Sequence, residues 1–161
     1  MSFYRNHILP RLIHLAMGQH NLAAYRNCVM PAAEGRVLEI GIGSGLNLPF
    51  YTDQGELVIG LDSVCVQHSC AARSLLEMRR VLKPGGRFLF VEHGRSTDPK
   101  FRWWQDRLTR AWKRIGGGCH LNRVIGALIE GAGFRFERIE TGYMRGPRPM
   151  TFMYEGSARP R

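Results

Sequence analysis

The feature that most constrains this sequence is an apolar run that breaks into three glycines at alternate positions. The run carries Glu39 near its end and stops at Gly41, Gly43 and Gly45. An apolar run without alternation is typical of a parallel strand buried on both faces. Glycines directly after it predict a turn whose backbone passes close to a neighbour, since a side chain would block the approach. A helix is predicted to begin at residues 46–48, which completes the ligand-binding corner of a doubly wound α/β sheet.

The glycine spacing narrows the class of ligand. A dinucleotide-binding fingerprint has its third glycine one residue later than Gly45, so the spacing argues against a nicotinamide oxidoreductase. Residues 39–45 instead read E-x-G-x-G-x-G, and a second apolar strand, predicted over 56–61, ends at Asp62. Asp62 lies about 20 residues on, where a carboxylate meets ribose hydroxyls in such folds. These residues resemble the first motif of class I S-adenosylmethionine-dependent methyltransferases.

The resemblance implies a cofactor and the residues that bind it. S-adenosylmethionine is the expected cofactor. The glycines would admit its methionine and ribose part, Glu39 would fix the loop and the amino end, and Asp62 would bind the ribose hydroxyls. The full set of expected cofactor-binding residues is Glu39, Gly41, Gly43, Ser44, Gly45 and Asp62. A tight glycine turn without a ligand is the alternative.

A second stretch carries the most specific similarity. Residues 76–94 contain the end of an amphipathic helix, a Lys-Pro-Gly-Gly turn and an apolar strand. They closely resemble the helix, turn and fifth strand of the type 11 branch of these methyltransferases, which is small-molecule or phospholipid methyltransferase-like. The other elements predicted around this stretch are helices over 69–82, 101–115 and 121–130, and an antiparallel final pair of strands over 134–141 and 150–156.

Two histidines are the candidates for catalysis. Methyl transfer requires alignment of acceptor and methyl group, exclusion of water and, for some acceptors, removal of a proton. His93 directly follows a predicted parallel strand, at the sheet edge where ligands bind, so it is the first candidate for a base or an acceptor-orienting group. His120, beside Cys119 in a glycine-rich loop, is the second. For both, a hydrogen-bonded loop residue is the alternative, and the sequence names no partner that would make Cys119 a nucleophile.

The chain lacks room for two strands that the resemblance implies. In these methyltransferases a helix, a third strand, another helix and a fourth strand follow the second strand. Here Asp62 is soon followed by the helix over 69–82, although a parallel strand cannot start before the chain has returned across the sheet. We therefore predict a Rossmann-like α/β fold: a doubly wound, mostly parallel sheet with an antiparallel C-terminal strand, shortened by about two strands. The five strands are expected at Val37, Leu57, Phe88, Phe134 and Thr151.

The shortened sheet has consequences for its neighbours. The strand at Val37 is expected to lie beside the strand at Phe88, or to leave a space filled by residues 64–70. Unpaired strand edges are costly when buried, and homodimerisation is one way to cover them. The chain is predicted to be a single domain over 1–161, with a helical lid segment over 1–30.

Composition limits the partners and the location. With 161 residues and 44% hydrophobic content, the chain suits one globular domain. No apolar run approaches the length of about 20 residues that a membrane span needs, and no signal peptide is recognised. The four cysteines lack C-x-x-C spacing, so neither disulfides nor a metal site is predicted, and the cytoplasm is the expected location. The net charge of +10 is spread without a dense basic block, so no specific nucleic-acid partner is predicted.

Two functions remain after this reasoning. The first is a methyltransferase that uses S-adenosylmethionine and acts on a small-molecule or lipid-like acceptor. The alternative is a catalytically inactive, truncated methyltransferase-like binding protein, which the missing strands favour. A helix predicted over 3–17 is expected to pack on the domain, and contact with an anionic membrane surface is its alternative role.

Overall fold

The computed structural model describes residues 3–18, 20–61, 71–115 and 119–161. These residues form an α/β fold of five strands and five α-helices. The strands are β1 (Gly35–Ile40), β2 (Gly55–Leu61), β3 (Phe88–His93), β4 (Phe134–Tyr143) and β5 (Phe152–Pro160). The α-helices are α1 (Leu9–Met17), α2 (His20–Val29), α3 (Ala71–Val81), α4 (Pro99–Ile115) and α5 (Ile125–Gly131). A π-helical segment, Tyr4–Ile8, precedes α1.

The strands lie in two sheets. β1 and β2 form a parallel pair in which Val37 lies opposite Val58. β3, β5 and β4 form an antiparallel sheet with β5 in the middle. The five predicted strands are confirmed, and so is the antiparallel pairing of the last two. The single, mostly parallel sheet is not seen: within the described ranges, β1 pairs with β2, β3 pairs with β5, and no strand joins the two sheets.

The separation of the sheets follows from chain connectivity. β2 ends at Leu61 and α3 begins at Ala71. The described chain therefore supplies no strand for the second edge of β1 or of β3. The segment 64–70, which we expected to fill this space, lies outside the described residues, and so does Asp62.

The helix predicted to follow the glycines is wrong. One turn of 3-10 helix, Leu48–Phe50, forms instead. Pro49 has no N–H with which to continue a helical ladder. A turn closed by the Gly55 N–H and the Thr52 carbonyl then leads directly into β2, so no room is left for a longer helix.

The helix predicted over 121–130 is shorter than expected. α5 begins at Ile125, because the preceding residues contact the loop that follows β3. The Arg95 N–H donates to the Arg123 carbonyl at 2.7 Å, and Leu121 is 1% exposed. These contacts hold residues 121–124 outside the helix.

Gln105 of α4 fixes the loop that leaves β3. Its side chain is buried; Nε2 donates to the Gly94 carbonyl at 2.9 Å, and Oε1 accepts from the Ser96 N–H at 2.9 Å. A Cβ atom at Gly94 would lie 2.7 Å from the Arg123 carbonyl oxygen, so glycine permits this close approach. The end of β3, with His93, is therefore held by contacts from several elements.

The hydrophobic core of the described residues lies on the antiparallel sheet, against α5. Phe134, Ile129 and Phe152 are buried there, and the rings of Phe88 and Phe134 lie 5.1 Å apart. The parallel pair differs, because its strands keep large apolar side chains in contact with solvent. These exposed side chains are Leu38, Leu57, Ile59 and Leu61.

Helix α1 has a buried side and a solvent-exposed side that also carries apolar residues. Leu9 is buried, whereas Leu12 and Leu15 are exposed. Of the helix predicted over 3–17, the α-helical part begins at Leu9, with Pro10 in its first turn and the π-helical segment before it. Among the helices that the structure describes, none combines the length and apolar character needed to cross a membrane.

Replacing Phe134 with Ala is expected to lower the free energy of unfolding by about 3–5 kcal/mol, because a fully buried ring is lost and a cavity remains. The matched control is Phe3→Ala, since Phe3 is 72% exposed; its effect should stay within about 0.5 kcal/mol. Urea denaturation followed by circular dichroism measures both. Equal effects of the two substitutions would contradict this placement of the core.

Candidate functional site

The glycine turn after β1 adopts a backbone that favours glycine. Gly41, Gly43 and Gly45 have φ values of +82°, +50° and +74°, which side chains disfavour. The Gly41 N–H donates to the Leu61 carbonyl at 2.7 Å, so the turn starts across the end of β2. Among the described residues, a Cβ atom at Gly43 would meet only the Gly41 carbonyl oxygen, at 3.9 Å. Within this part of the chain, the backbone at Gly43 therefore borders open space.

Glu39 is the buried acid beside this turn. Asn47 donates its Nδ2 to Oε1 at 2.7 Å, and the Tyr51 hydroxyl donates to Oε2 at 3.1 Å. Arg26 of α2 extends the network: its Nε donates to Asn47 Oδ1 at 2.8 Å, and its NH2 group donates to the Met17 carbonyl at 2.7 Å. The network ties both ends of the glycine turn to the first two helices.

The protonation states of the groups in this network determine which of them donate hydrogen bonds. Burial raises the pKa of Tyr51, and the Glu39 carboxylate raises it further. The Tyr51 hydroxyl therefore keeps its proton and remains a donor. Burial lowers the pKa of Arg26, and the attraction of Glu39 opposes that shift. Each carboxylate oxygen has a second lone-pair direction, so Glu39 retains capacity to accept from the amino group of a ligand.

The N-terminal segment connects the glycine turn with the end of α4. His14 Nδ1 lies 2.7 Å from Ser44 Oγ, and the Tyr4 hydroxyl donates to the Ile115 carbonyl at 2.6 Å. Tyr4 and His14 are ten positions apart along a segment that is π-helical and then α-helical. The segment thus contacts both the glycine turn and the C-terminal end of α4.

The two histidines predicted for catalysis lie close to each other. His93 ends β3, and its Nε2 lies 3.2 Å from Sγ of Cys119. The His93 ring also hydrogen-bonds to the backbone of His120. Trp112 of α4 hydrogen-bonds to the same thiol. The loop around residue 120 and α4 therefore place a thiol against the imidazole of His93.

Both members of this pair are uncharged at neutral pH. Burial lowers the pKa of His93, and Arg123 lowers it further, while the hydrogen bond with the His120 backbone acts in the opposite direction. Burial raises the pKa of the Cys119 thiol to about 11, with a contribution from the charge of Glu92. We therefore assign the thiol as the donor and Nε2 of the neutral ring as the acceptor. A neutral imidazole at hydrogen-bond distance from a thiol is placed to act as a general base toward sulfur.

The sequence missed several members of the site. Asn47, Tyr51 and Arg26 hold Glu39, and His14 contacts Ser44. Of these residues, Asn47 could have been identified from the sequence, because it continues the two-residue spacing of the three glycines. Asp62, expected to bind ribose, lies outside the described residues.

One surface depression lies away from the glycine turn. It has a volume of about 580 Å³ and is lined mainly by the end of α3 and the turn after it, with Arg159 and Pro160 of β5. Its lining includes none of the residues predicted to bind the cofactor or to catalyse. The glycine turn is therefore not part of this depression.

Replacing Arg26 with Met is expected to lower the free energy of unfolding by about 1–3 kcal/mol, since Asn47 and the Met17 carbonyl lose a charged, part-buried donor. Arg36→Met is the matched control, because Arg36 is exposed on β1. Thermal and urea unfolding of both variants provide the comparison. If the two variants unfold alike, the network does not stabilise the corner.

Alkylation of Cys119 by iodoacetamide is expected to be slow and to rise steeply with pH. Because the thiol has a pKa of about 11 and the thiolate is the reactive form, the rate should grow about tenfold per pH unit between pH 8 and 10. Mass spectrometry of peptides resolves Cys119 from the exposed Cys28. Rapid, pH-independent labelling of Cys119 would contradict its burial beside His93.

Comparison with known proteins finds similarity to thiol S-methyltransferases. No protein-family model matches the chain. It is 40% identical over 82 residues to thiol S-methyltransferase TMT1B of Rattus norvegicus, covering 48% of this chain and 34% of the relative. Identity to thiol S-methyltransferase TMT1B of Homo sapiens is 36% over 100 residues, covering 58% of this chain and 38% of the relative.

A third relative agrees. Thiol S-methyltransferase TMT1A of Homo sapiens is 32% identical over 106 residues, which cover 63% of this chain and 43% of the relative. The chain thus spans well under half the length of the curated relatives it matches. The resemblance predicted from the sequence is confirmed over the aligned part, where the chain is a homologue of thiol S-methyltransferases.

Proposed function

We propose that the chain transfers a methyl group from S-adenosylmethionine to a small thiol. The observation that carries this proposal is the thiol that already lies 3.2 Å from Nε2 of His93, because it indicates an environment that accepts sulfur beside a base. The names of the relatives, all thiol S-methyltransferases, support the same acceptor. A lipid-like thiol remains within the proposal.

The glycine corner fits the cofactor. Glu39, Gly41, Gly43, Ser44 and Gly45 would hold the methionine and ribose part, and Asp62 would bind the ribose hydroxyls. The open space at Gly43 and the remaining acceptor capacity of Glu39 support this assignment. When bound, the cofactor supplies a methyl group that is already activated as a sulfonium.

The remaining chemistry belongs to the chain. His93 would take the proton of the acceptor thiol, and the neutral state of its ring at neutral pH supports that role. His120 would orient His93 through its backbone hydrogen bond. The N-terminal segment, as a lid, would limit access of water between the glycine turn and Cys119.

We extend the proposal to the fold. The parallel pair β1–β2 and the antiparallel sheet β3–β5–β4 are the two parts of a Rossmann-like, doubly wound sheet that has lost about two strands between β1 and β3. The connectivity of the chain supports this interpretation, as do the edges of β1 and β3 that have no partner strand within the described residues. One domain over 1–161 is part of the same proposal.

Three further roles complete the proposal. The exposed apolar side of the N-terminal helix supports peripheral contact with a membrane. Homodimerisation would cover the exposed edge of β1.

The cytoplasm is the proposed location, because the free thiols Cys28 and Cys119 fit a reducing compartment.

Calorimetry with S-adenosylmethionine, followed by turnover assays, tests the function. Saturable binding and release of S-adenosylhomocysteine with thiols, but not with matched amines or phenols, are expected. Binding without turnover on any acceptor would support the inactive binding protein in place of the enzyme. No binding would refute both.

Replacing Gly43 with Val is expected to abolish binding of S-adenosylmethionine, because a branched side chain would fill the space beside the turn and disfavour φ of +50°. The matched control is Gly142→Val in β4, where an added Cβ meets no described residue within 4 Å. Calorimetry measures binding, and circular dichroism checks that both variants fold. A folded Gly43→Val protein that binds like the parent would move the cofactor away from this turn.

A further inference from the structure

We propose that helix α4 docks on a membrane surface that carries anionic lipids. The contact is made by the exposed side of the helix, which combines tryptophan, arginine and apolar residues. This side is separate from the exposed side of the N-terminal helix, whose peripheral membrane contact is part of the proposed function. The proposal extends that contact to a second surface and to a lipid charge, and it does not depend on methyl transfer.

Two stripes of side chains run along the exposed side of α4. The first is aromatic and basic, and its members follow one another by three or four residues: Trp103, Arg107, Arg110 and Arg114. The second lies beside it and is apolar: Trp104, Ala111 and Ile115. Residues at these spacings lie above one another on a helix. All members of both stripes are exposed, and the two tryptophans keep 49% and 44% of their surface in solvent.

The side of α4 that faces the protein is occupied by other residues. Its buried side chains are the polar Gln105 and Thr109. Gln105 fixes the loop after β3, and Thr109 Oγ1 donates to the Gln105 carbonyl at 2.6 Å. Phe101, Leu108 and Trp112 are half-buried. A helix that only packs on its own domain turns its apolar residues inward, so the second, exposed apolar stripe indicates an external partner.

The charge of the first stripe favours an anionic partner. Its three guanidinium groups point from a helix whose sequence contains one acid, Asp106. Asp106 is already paired with Arg95 at 3.0 Å and accepts a hydrogen bond from Asn122 at 2.8 Å. The net charge of +10 attracts the chain to a negative surface as well. The exposed side of α4 is therefore positively charged and apolar at once.

The tryptophans of α4 form a small aromatic and basic cluster. The Arg107 guanidinium lies over the Trp103 ring, 4.2 Å from its centroid, and the Trp103 and Trp104 rings meet edge to face at 4.9 Å. A surface depression of about 550 Å³ is lined by Trp103, Asp106, Arg107 and Arg110. Indole rings favour the headgroup level of a bilayer, and arginine extends its charge toward lipid phosphates. The depression thus offers a place for an anionic headgroup.

A bilayer fits this surface better than a nucleic acid does. A nucleic acid would pair with the arginines and stack on the tryptophans, but it would leave the second stripe in water. A basic stripe beside an apolar stripe is the pattern of helices that lie in the membrane interface. Of the two anionic partners, the bilayer alone covers both stripes.

The apolar surface continues at the C-terminal end of α4. The Tyr4 hydroxyl donates to the Ile115 carbonyl at 2.6 Å, so the start of the N-terminal segment lies at the end of the second stripe. Phe3, which precedes Tyr4, is exposed, and so is Ile115. An extended partner such as a bilayer can contact both helices together.

Cosedimentation of the purified chain with lipid vesicles tests the charge of the partner. Vesicles of phosphatidylcholine that contain about 30% phosphatidylserine should bind the chain at least about tenfold more tightly than pure phosphatidylcholine vesicles. Binding should weaken as salt is added, and tryptophan fluorescence should shift to shorter wavelength on binding. Equal binding to both kinds of vesicle would overturn the proposal.

Two charge-reversed variants locate the contact. Arg107→Glu with Arg110→Glu should weaken binding to the anionic vesicles by at least about tenfold. The matched control, Arg36→Glu with Arg135→Glu, changes the net charge equally on exposed residues of β1 and β4 and should bind more tightly than the α4 variant. Equal losses in the two variants would mean that only net charge matters and would overturn the assignment to α4.

Apolar variants separate the two helices. Trp104→Ser should weaken vesicle binding and reduce the fluorescence shift, with circular dichroism as the check of folding. If it binds like the parent while Leu12→Ser with Leu15→Ser abolishes binding, the contact belongs to the N-terminal helix alone and the proposal is wrong. Tighter binding to a single-stranded oligonucleotide than to anionic vesicles would also overturn it. No readout involves the cofactor, so these failures would leave the proposed methyl transfer standing.

Discussion

The glycine turn after β1 and the elements that contact it depend on a buried carboxylate. Removing a charge from water is costly unless donors replace the lost hydration, and Glu39 obtains its donors from Asn47 and Tyr51. Both lie beyond the glycines, so the turn must fold back over the strand that carries the acid. Arg26 then orients Asn47, which brings α2 to the same place. One acid thus determines the path of the turn and the docking of the N-terminal helices.

The second constraint is the division of the sheet. Parallel strands normally share a sheet whose faces are covered by helices, yet the described part of β1–β2 has large apolar side chains in contact with solvent. The antiparallel sheet is better covered, because α5 packs on it and β5 lies between two partners. The glycine turn, which we propose as the cofactor site, and most of the hydrophobic core therefore lie in different halves of the chain.

Local patterns predicted most of the secondary structure. Glycine spacing, apolar runs and the Lys-Pro-Gly-Gly turn are short-range signals, and they located all five strands and the C-terminal end of α3. The helix predicted after Gly45 does not form, because Pro49 and the short link to β2 leave no room for it. The expectation of a helix at the corner of the sheet had not taken these two features into account. The two separate sheets were missed because strand pairing depends on which neighbours the chain supplies.

The site shows the same limit. Glu39 and the glycines stand together in the sequence, so a motif indicates them. Arg26 lies 21 residues from Asn47, and Cys119 lies 26 residues from His93. Such pairs form only through tertiary packing, and the sequence around one residue does not predict its partner. The pKa values of His93 and Cys119 follow from that packing and from no local pattern.

The uneven core has a consequence for motion. Regions with few buried apolar contacts open locally at a lower free energy than the global unfolding transition. We therefore expect the antiparallel sheet and α5 to exchange most slowly, and β1, β2 and the glycine turn to open as a separate, less protected unit. A ligand held at the turn, as we propose for the cofactor, would slow amide exchange there far more than at β5. Binding of that ligand would in this sense also complete the folding of this part of the chain.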